Sequence, residues 1–397
     1  MDSQVNSQPG ADVPKPRKHS VSRILQLDFL RGVAILMVLF RHSVVEFRQA
    51  GALRIPATML NRIGWTGVDL FFVLSGFLIG GLLFREIVTS GKLDVRRFVI
   101  RRGLKIWPCY YLFLVVQAIW RIRFEANSPI TALKAAVPGM LHVQNYAGTG
   151  WHTWSLAVEE HFYLLLPVLL WFLLKRAENK RVTAFPIIAA LVMVCCLAIR
   201  IAVGRTGPFN EVRNYFPTHI RLDSLFAGVL LAYTYHMRPD LFARVAAARI
   251  RILVLFLIVL APFCVFEITE HRWIWTVGYC ALYTAYAGVV ASLVPGPGSP
   301  LVWERFFGSA LPRLVSRVGE YSYNIYLWHI FIMFTFARVV PGSPLGKLHG
   351  GAAWLVLMPC YIVAAVLVGV GVSKIVEVPT LHLRDKLFPA RATAFKA

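Results

Sequence analysis

Acidic residues are scarce in this 397-residue chain: 20 Asp and Glu stand against 42 Lys and Arg, a net charge of +22. Charge of either sign is scarce too, at 16% of residues, where a soluble domain averages about 25%. The polar surface that a water-soluble fold of this size needs is missing. Cysteine is sparse as well. Cys109, Cys195, Cys196, Cys264, Cys280 and Cys360 form no C-x-x-C or Cys/His metal spacing, and all lie in or beside apolar runs. They read as small core hydrophobes, and no metal is expected. A cleavable signal peptide is not expected either. The first apolar run begins late, behind a tail rich in Ser, Gln and Pro, and contains Asp28 and Arg31. That tail, residues 1–22, is expected to be disordered and cytoplasmic. The excess of base raises nucleic acid as a partner. Its distribution argues against that, because the bases fall between apolar runs, as cationic loops do at a cytoplasmic leaflet.

What is present is hydrophobic: 57% of the residues. A spanning helix needs about 20 mostly apolar residues. Ten segments qualify on a first reading: 25–47, 67–85, 107–124, 155–174, 184–203, 218–237, 252–270, 274–294, 321–340 and 352–373. An N-terminus inside places the RRFVIRRGLK and KRAENKR clusters, the basic 238–251 and 295–317 loops and both tails in the cytoplasm. The expected fold is therefore all-α, a polytopic bundle of about ten transmembrane helices with both termini cytoplasmic. The 125–150 connection is the longest external one and is expected to shape an outer vestibule.

Ionisable groups inside such segments are costly and mark functional sites by default. Four constellations stand out. In LDFLRGVAILMVLFRHS (27–43), Arg31 and His42 lie eleven residues apart, about three turns, on one face and roughly 16 Å apart along the axis. Asp28 is placed to pair with Arg31. In GWTGVDLFFVLSGFLIGG (64–81), Asp69 is a helix cap or a ligand for a glycan, and Ser75 more naturally bonds a neighbouring helix than acts as a nucleophile. Gly76, Gly80 and Gly81 are expected to permit close helix packing.

In RRFVIRRGLKIWPCYY (96–111), Arg97, Arg101, Arg102 and Lys105 form a cationic cluster. It is either membrane anchoring or a phosphate site, which guanidinium forks suit. Pro108 is expected to bend or restart the chain there. In WSLAVEEHFY (154–163), neighbours Glu159 and Glu160 point about 100° apart. Ser155, Glu159 and Phe162 share one face; Glu160 and Tyr163 fall on the next. Unpaired carboxylates facing lipid are costly, so cationic partners are implied, with Arg221 and Asp223 of the sixth segment as candidates for the network. A purely structural ion pair is the alternative.

Together these stretches resemble the integral-membrane acyltransferase family 3, which includes O-antigen and exopolysaccharide O-acetyltransferases. The resemblance covers Leu27 to about Arg384. LDFLRGVAILMVLFRHS, GVDLFFVLSGFLI, RRGLKIWPCYY, WSLAVEEHFYLLLPVLL, RLDSLFAG, GEYSYNIYLWH and VEVP occur in the family's order. Lys105 departs from the family's usual arginine, and His161 stands where glutamine is common.

The resemblance implies a membrane acyltransferase domain over 23–384, with cytoplasmic tails at 1–22 and 385–397, in a bacterial inner membrane. It implies transfer of an acyl group, usually acetyl, from an acyl-CoA donor to a sugar hydroxyl of a surface or secreted glycan, possessed of a lipid anchor or not. In that chemistry His42 is the base. Arg31 binds donor or stabilises developing charge, and Glu159 orients His42 or the acceptor. Arg97, Arg101, Arg102 and Lys105 hold CoA phosphates, while Asp69, Glu160, Arg221, Asp223 and His329 bind the acceptor. The expected meeting place is a polar cavity that contains His42, Arg31 and Glu159 together. A transporter or flippase for a glycan or lipid-linked sugar is the rival class, although no paired broken helices in corresponding halves support it.

Overall fold

A computed structural model describes residues 24–43, 50–125, 127–149, 151–176, 182–295 and 301–389. The N-terminal tail read as disordered lies outside them. Among the described residues the structure is helical throughout, with no β-strand. The helices are α1 Leu25–Arg41, α2 Arg54–Gly64, α3 Gly67–Ser90, α4 Val95–Phe124, α5 Pro129–Met140, α6 Gln144–Ala147, α7 Trp154–Arg176, α8 Phe185–Gly204 and α9 Glu211–Asn214. They continue as α10 Leu222–Met237, α11 Pro239–Ala247, α12 Arg249–Leu260, α13 Tyr279–Leu293, α14 Leu301–Gly308, α15 Ala310–Glu320, α16 Ser322–Val339, α17 Gly350–Val372 and α18 Val378–Leu387.

Each of the ten apolar segments is largely helical, but length and composition admit fewer as membrane spans. Six helices qualify: α3, α4, α7, α8, α13 with its preceding π turn, and the α17–α18 unit. A seventh is gained if α11 and the following helix, bent by 76°, form one broken span. The first, sixth and ninth segments become α1, α10 and α16, of 17, 16 and 18 residues. Sixteen residues rise only about 24 Å, short of a hydrocarbon core of about 30 Å. Polar residues such as Asp28, Arg31, Asp223, Asn324 and His329 interrupt these three helices.

Other boundaries differ from the reading of the sequence: the described parts of the basic 238–251 and 295–317 loops are largely helical, as α11, the start of α12, α14 and α15. The basic cluster is not a loop. It forms the opening turns of α4, which starts at Val95 because the Asp94 side chain accepts a hydrogen bond from the Arg97 amide at 3.0 Å. The helix runs on through Pro108 without a restart. The long 125–150 connection is itself partly helical. Ser128 caps α5, Pro129 opens it, and the helix returns along α4 until Tyr110 and Tyr111 bond the carbonyls of Gly139 and Met140.

Close backbone contact holds the centre. A Cβ on Gly76 of α3 would lie 2.0 Å from the Leu225 carbonyl oxygen of α10, and one on Gly228 would lie 2.1 Å from that of Val73. Only glycine fits at this crossing. The α1–α15 contact repeats the device with Gly32 and Gly319, where a Cβ would meet Val315 O at 2.1 Å and Asp28 O at 1.8 Å. The six cysteines are all free thiols; Cys109 and Cys196 are buried and Cys195 and Cys360 exposed.

Candidate active site

A cavity of about 740 Å³ lies between α1, α3, α4, α7, α10, α16 and α18, at the end of the bundle where α4 begins. Its polar wall carries Arg31, Arg102, Lys105, Glu159, Tyr163 and Glu377. Its apolar wall is largely one face of α3, with Phe71, Leu74, Leu78 and Leu82.

The α7 stripe is i, i+4, i+8: Ser155, Glu159 and Tyr163 all line the cavity. Phe162, expected beside Ser155 and Glu159, is instead packed in the core. Tyr163 is a hub. Its hydroxyl donates to Glu159 Oε2 at 2.6 Å and accepts from Arg102 Nη2 at 2.7 Å. With its single proton committed to Glu159, it must also accept from Ser75 Oγ at 2.8 Å. Ser75 therefore bonds a neighbouring helix. The Arg102 guanidinium lies 4.3 Å from the Tyr163 ring centroid, a cation–π contact. The charge that balances Glu159 is thus Arg102 of α4.

Arg221 is elsewhere. It pairs with Asp69 at 2.8 Å, both side chains at 0% exposure. Ser224 Oγ donates to the same Asp69 oxygen at 3.3 Å, and the guanidinium lies 4.1 Å from the Tyr279 ring centroid. Asp223 pairs with Arg200 at 2.5 Å, and Arg200 also donates to the carbonyls of Ile220 and Thr276. Asp69, Arg221 and Asp223, expected to bind acceptor, are enclosed in this network and line no part of the cavity. Glu160 points away as well, accepting from Trp107 Nε1 at 3.2 Å. His161 faces Thr218 Oγ1 at 2.7 Å, on another side of α7.

The basic cluster divides. Arg102 and Lys105 face the cavity. Arg97 and Arg101 turn to the end of α18, where they donate to the carbonyls of Pro389 and Phe388, and Arg101 also pairs with Asp385 at 3.1 Å. The predicted Asp28–Arg31 pair is present at 3.6 Å, and both residues line the cavity. So the structure brings Arg31 and Glu159 into one chamber.

His42 stands beyond it, because eleven residues of α1 separate it from Arg31. It joins His329 and His152 in a cluster, with ring centroids 5.0 Å apart for His42–His329 and 4.7 Å for His152–His329. His329 Nδ1 faces the Tyr326 carbonyl at 2.5 Å, and His42 Nδ1 faces the Val38 carbonyl at 3.0 Å. A carbonyl only accepts, so both Nδ1 atoms carry protons. The one His42 Nδ1 proton is shared, chiefly with Val38 and by the longer 3.4 Å arm with His329 Nε2, and His42 Nε2 keeps its lone pair. Between cluster and cavity stands a hydrogen-bonded partition. Ser155 Oγ donates to the Tyr326 hydroxyl at 2.6 Å, which donates to the His152 carbonyl at 2.7 Å.

Sequence reasoning missed His152, Tyr163, Tyr326 and Glu377 as site residues. His152 carried one usable signal, a histidine just before an apolar run. Glu377 lay in the VEVP motif; a π turn, Ser373–Glu377, presents it to the cavity, where Asn324 Nδ2 and Ser373 Oγ donate to it at 2.8 and 2.9 Å. Among the described residues no cluster of three or more His, Cys, Asp or Glu could hold a metal ion.

Comparison with known proteins supplies the chemical class. The acyltransferase domain of the acyltransferase 3 type matches residues 24–374. The O-acetyltransferase OatA of Staphylococcus aureus strain NCTC 8325 is 27% identical over 340 residues, 80% of this chain and 52% of its own length. OatA of strain COL gives the same values. The chain thus spans about half the length of the curated relatives it matches. No solved structure matches it.

Proposed function

The chain belongs to the acyltransferase 3 family, and on that premise we propose that it is a membrane O-acyltransferase. It takes an acyl group, acetyl first, from an acyl-CoA and passes it to a sugar hydroxyl of a surface or secreted glycan. One observation carries the reading: a single chamber at the basic end gathers Arg31, Arg102 and Lys105 around Glu159. The excess of base at that end favours the cytoplasmic side, where acyl-CoA is found. A bacterial inner membrane, with both termini inside, fits that orientation.

In this mechanism the donor enters the chamber from the cytoplasm, and the acceptor approaches from the histidine side of the partition. His42 Nε2 takes the hydroxyl proton as the new carbon–oxygen bond forms, and the imidazolium returns a proton to the departing sulfur. Arg31, paired with Asp28 about three turns from His42, holds the donor in the chamber, and Arg102 stabilises the oxyanion that develops on the thioester carbonyl once the two substrates have met. His329 holds the His42 tautomer, a role different from the acceptor binding expected of it. The Ser155–Tyr326 contact must part for the two substrates to meet. The OatA relatives are named O-acetyltransferases, which favours a hydroxyl acceptor and acetyl as the group moved.

The test is release of free CoA thiol by purified protein given acetyl-CoA and acceptor. A carrier or flippase consumes no thioester, so transport without thiol release would remove the enzyme reading. Mass spectrometry of surface glycans from a strain lacking the protein identifies acyl group and acceptor by the missing mass. The His42→Ala variant is expected to bind acetyl-CoA and to lose transfer by about 10²–10⁴-fold. Unimpaired transfer would remove His42 from the mechanism.

A further inference from the structure

The apolar wall of the cavity ends in a second cationic feature. Phe71, Ser75, Leu78, Leu82 and Arg85 recur on α3 at intervals of three and four, and all five line the cavity. Ser75 touches the Tyr163 hub. Arg85 lies ten residues further along, about 15 Å away. Only leucine side chains from that face lie between them. His236 of α10 joins Arg85 at the same end of the lining. Its ring lies against the α3 backbone, where a Cβ on Gly81 would come within 3.1 Å of His236 Nε2. The chamber is therefore polar at the Tyr163 end, apolar along α3 and cationic at Arg85. An acyl-CoA has the same order: thioester, pantetheine arm, phosphates. Meanwhile Arg97 and Arg101, half of the cluster on α4, are committed to the end of α18.

We infer that Arg85 and His236 form an anion subsite for the first phosphate beyond the pantetheine arm of the donor, with the arm lying along Leu78 and Leu82. This rests on the acyl-CoA reading above. A guanidinium fork suits a phosphate, and the adjoining imidazole adds a donor. The phosphate of an anionic lipid headgroup has the same chemistry, so the experiment separates the two sources.

Binding is measured by titration calorimetry on the purified full chain in zwitterionic detergent. The probes are acetyl-CoA, S-acetyl-4′-phosphopantetheine, S-acetylpantetheine and phosphatidylglycerol. The wild type is expected to favour the phosphorylated thioester over S-acetylpantetheine by about tenfold, the scale of a hydrogen bond to a charged group. Arg85→Gln and His236→Gln should each erase most of that preference and leave S-acetylpantetheine binding unchanged; Arg85→Lys should keep most of it. A preference intact in Arg85→Gln but lost in Lys105→Gln returns the phosphate to α4 and overturns the inference. Phosphatidylglycerol binding that depends on Arg85, with no preference among the thioesters, assigns the subsite to lipid and overturns it too. If the wild type binds no acetyl-CoA, the donor reading fails and takes the subsite with it. If acetyl-CoA binds and Arg85→Gln changes nothing, only the subsite fails.

Discussion

Asp69–Arg221 and Glu159–Arg102 are both pairings of a carboxylate with a guanidinium inside one helix bundle, and they are built differently. Asp69 and Arg221 meet directly at 2.8 Å, fully enclosed. Between Glu159 and Arg102 stands the Tyr163 hydroxyl, and all three groups border a cavity of about 740 Å³. A direct, enclosed pair satisfies itself and fixes the helices that carry it. A pair held apart by a hydroxyl leaves charge facing a space that a ligand can enter. Ionisable residues in apolar helices thus mark two kinds of place, and contact with the cavity distinguishes them.

The largest effect expected from this contrast is on stability. Breaking an enclosed pair by removing one partner costs about 3–5 kcal/mol. Arg221→Ala should show that loss in thermal unfolding of the detergent-solubilised protein, and the double variant Asp69→Asn/Arg221→Met should recover much of it. A stable Arg221→Ala protein would erase the distinction. Next comes the other pair. Arg102→Gln should lower acyl transfer by about 10²–10³-fold, the scale for one electrostatic contact to a developing oxyanion. Its unfolding temperature should stay near that of the wild type. A variant that unfolds without a selective loss of transfer would move Arg102 to the structural class.

A smaller effect is expected where α3 and α10 cross. Gly76→Ala places a methyl against the Leu225 carbonyl and should cost about 1–3 kcal/mol in the same unfolding assay. No loss there would mean that the helices part more easily than their contact suggests. Smallest of all is Arg101→Gln. Its partner Asp385 is half exposed, and such pairs contribute about 0–1 kcal/mol. Acyl transfer should change little in Arg101→Gln and strongly in Arg102→Gln; equal losses would reunite the cluster as one functional unit.

The helical class was legible because long apolar runs admit few alternatives, and the Asp28–Arg31 pair because i, i+3 geometry is local. Glu159 was legible as a cavity residue from its position at the mouth of α7. Its partner was not. Arg221 and Arg102 are both remote from Glu159 in sequence, and only tertiary packing decides between them. The start of α4 was hidden because RRFVIRR has the composition of a loop; the Asp94 cap makes it helix. His42 shares a helix with Arg31, but periodicity cannot say where a cavity stops. The Ser155–Tyr326 partition joins two motifs separated by 171 positions in the chain.

The glycine crossing of α3 and α10 also bears on gating. At Gly76 and Gly228 backbone rests on backbone, with no side chain to change rotamer and let one helix slide past the other. The two therefore behave as one stationary plate. It carries Ser75 on the chamber side and the Asp69–Arg221 clasp within. An opening between the chamber and the histidine cluster would come from α7 and α16, joined at the partition by the Ser155–Tyr326 hydroxyl contact, swinging against that plate.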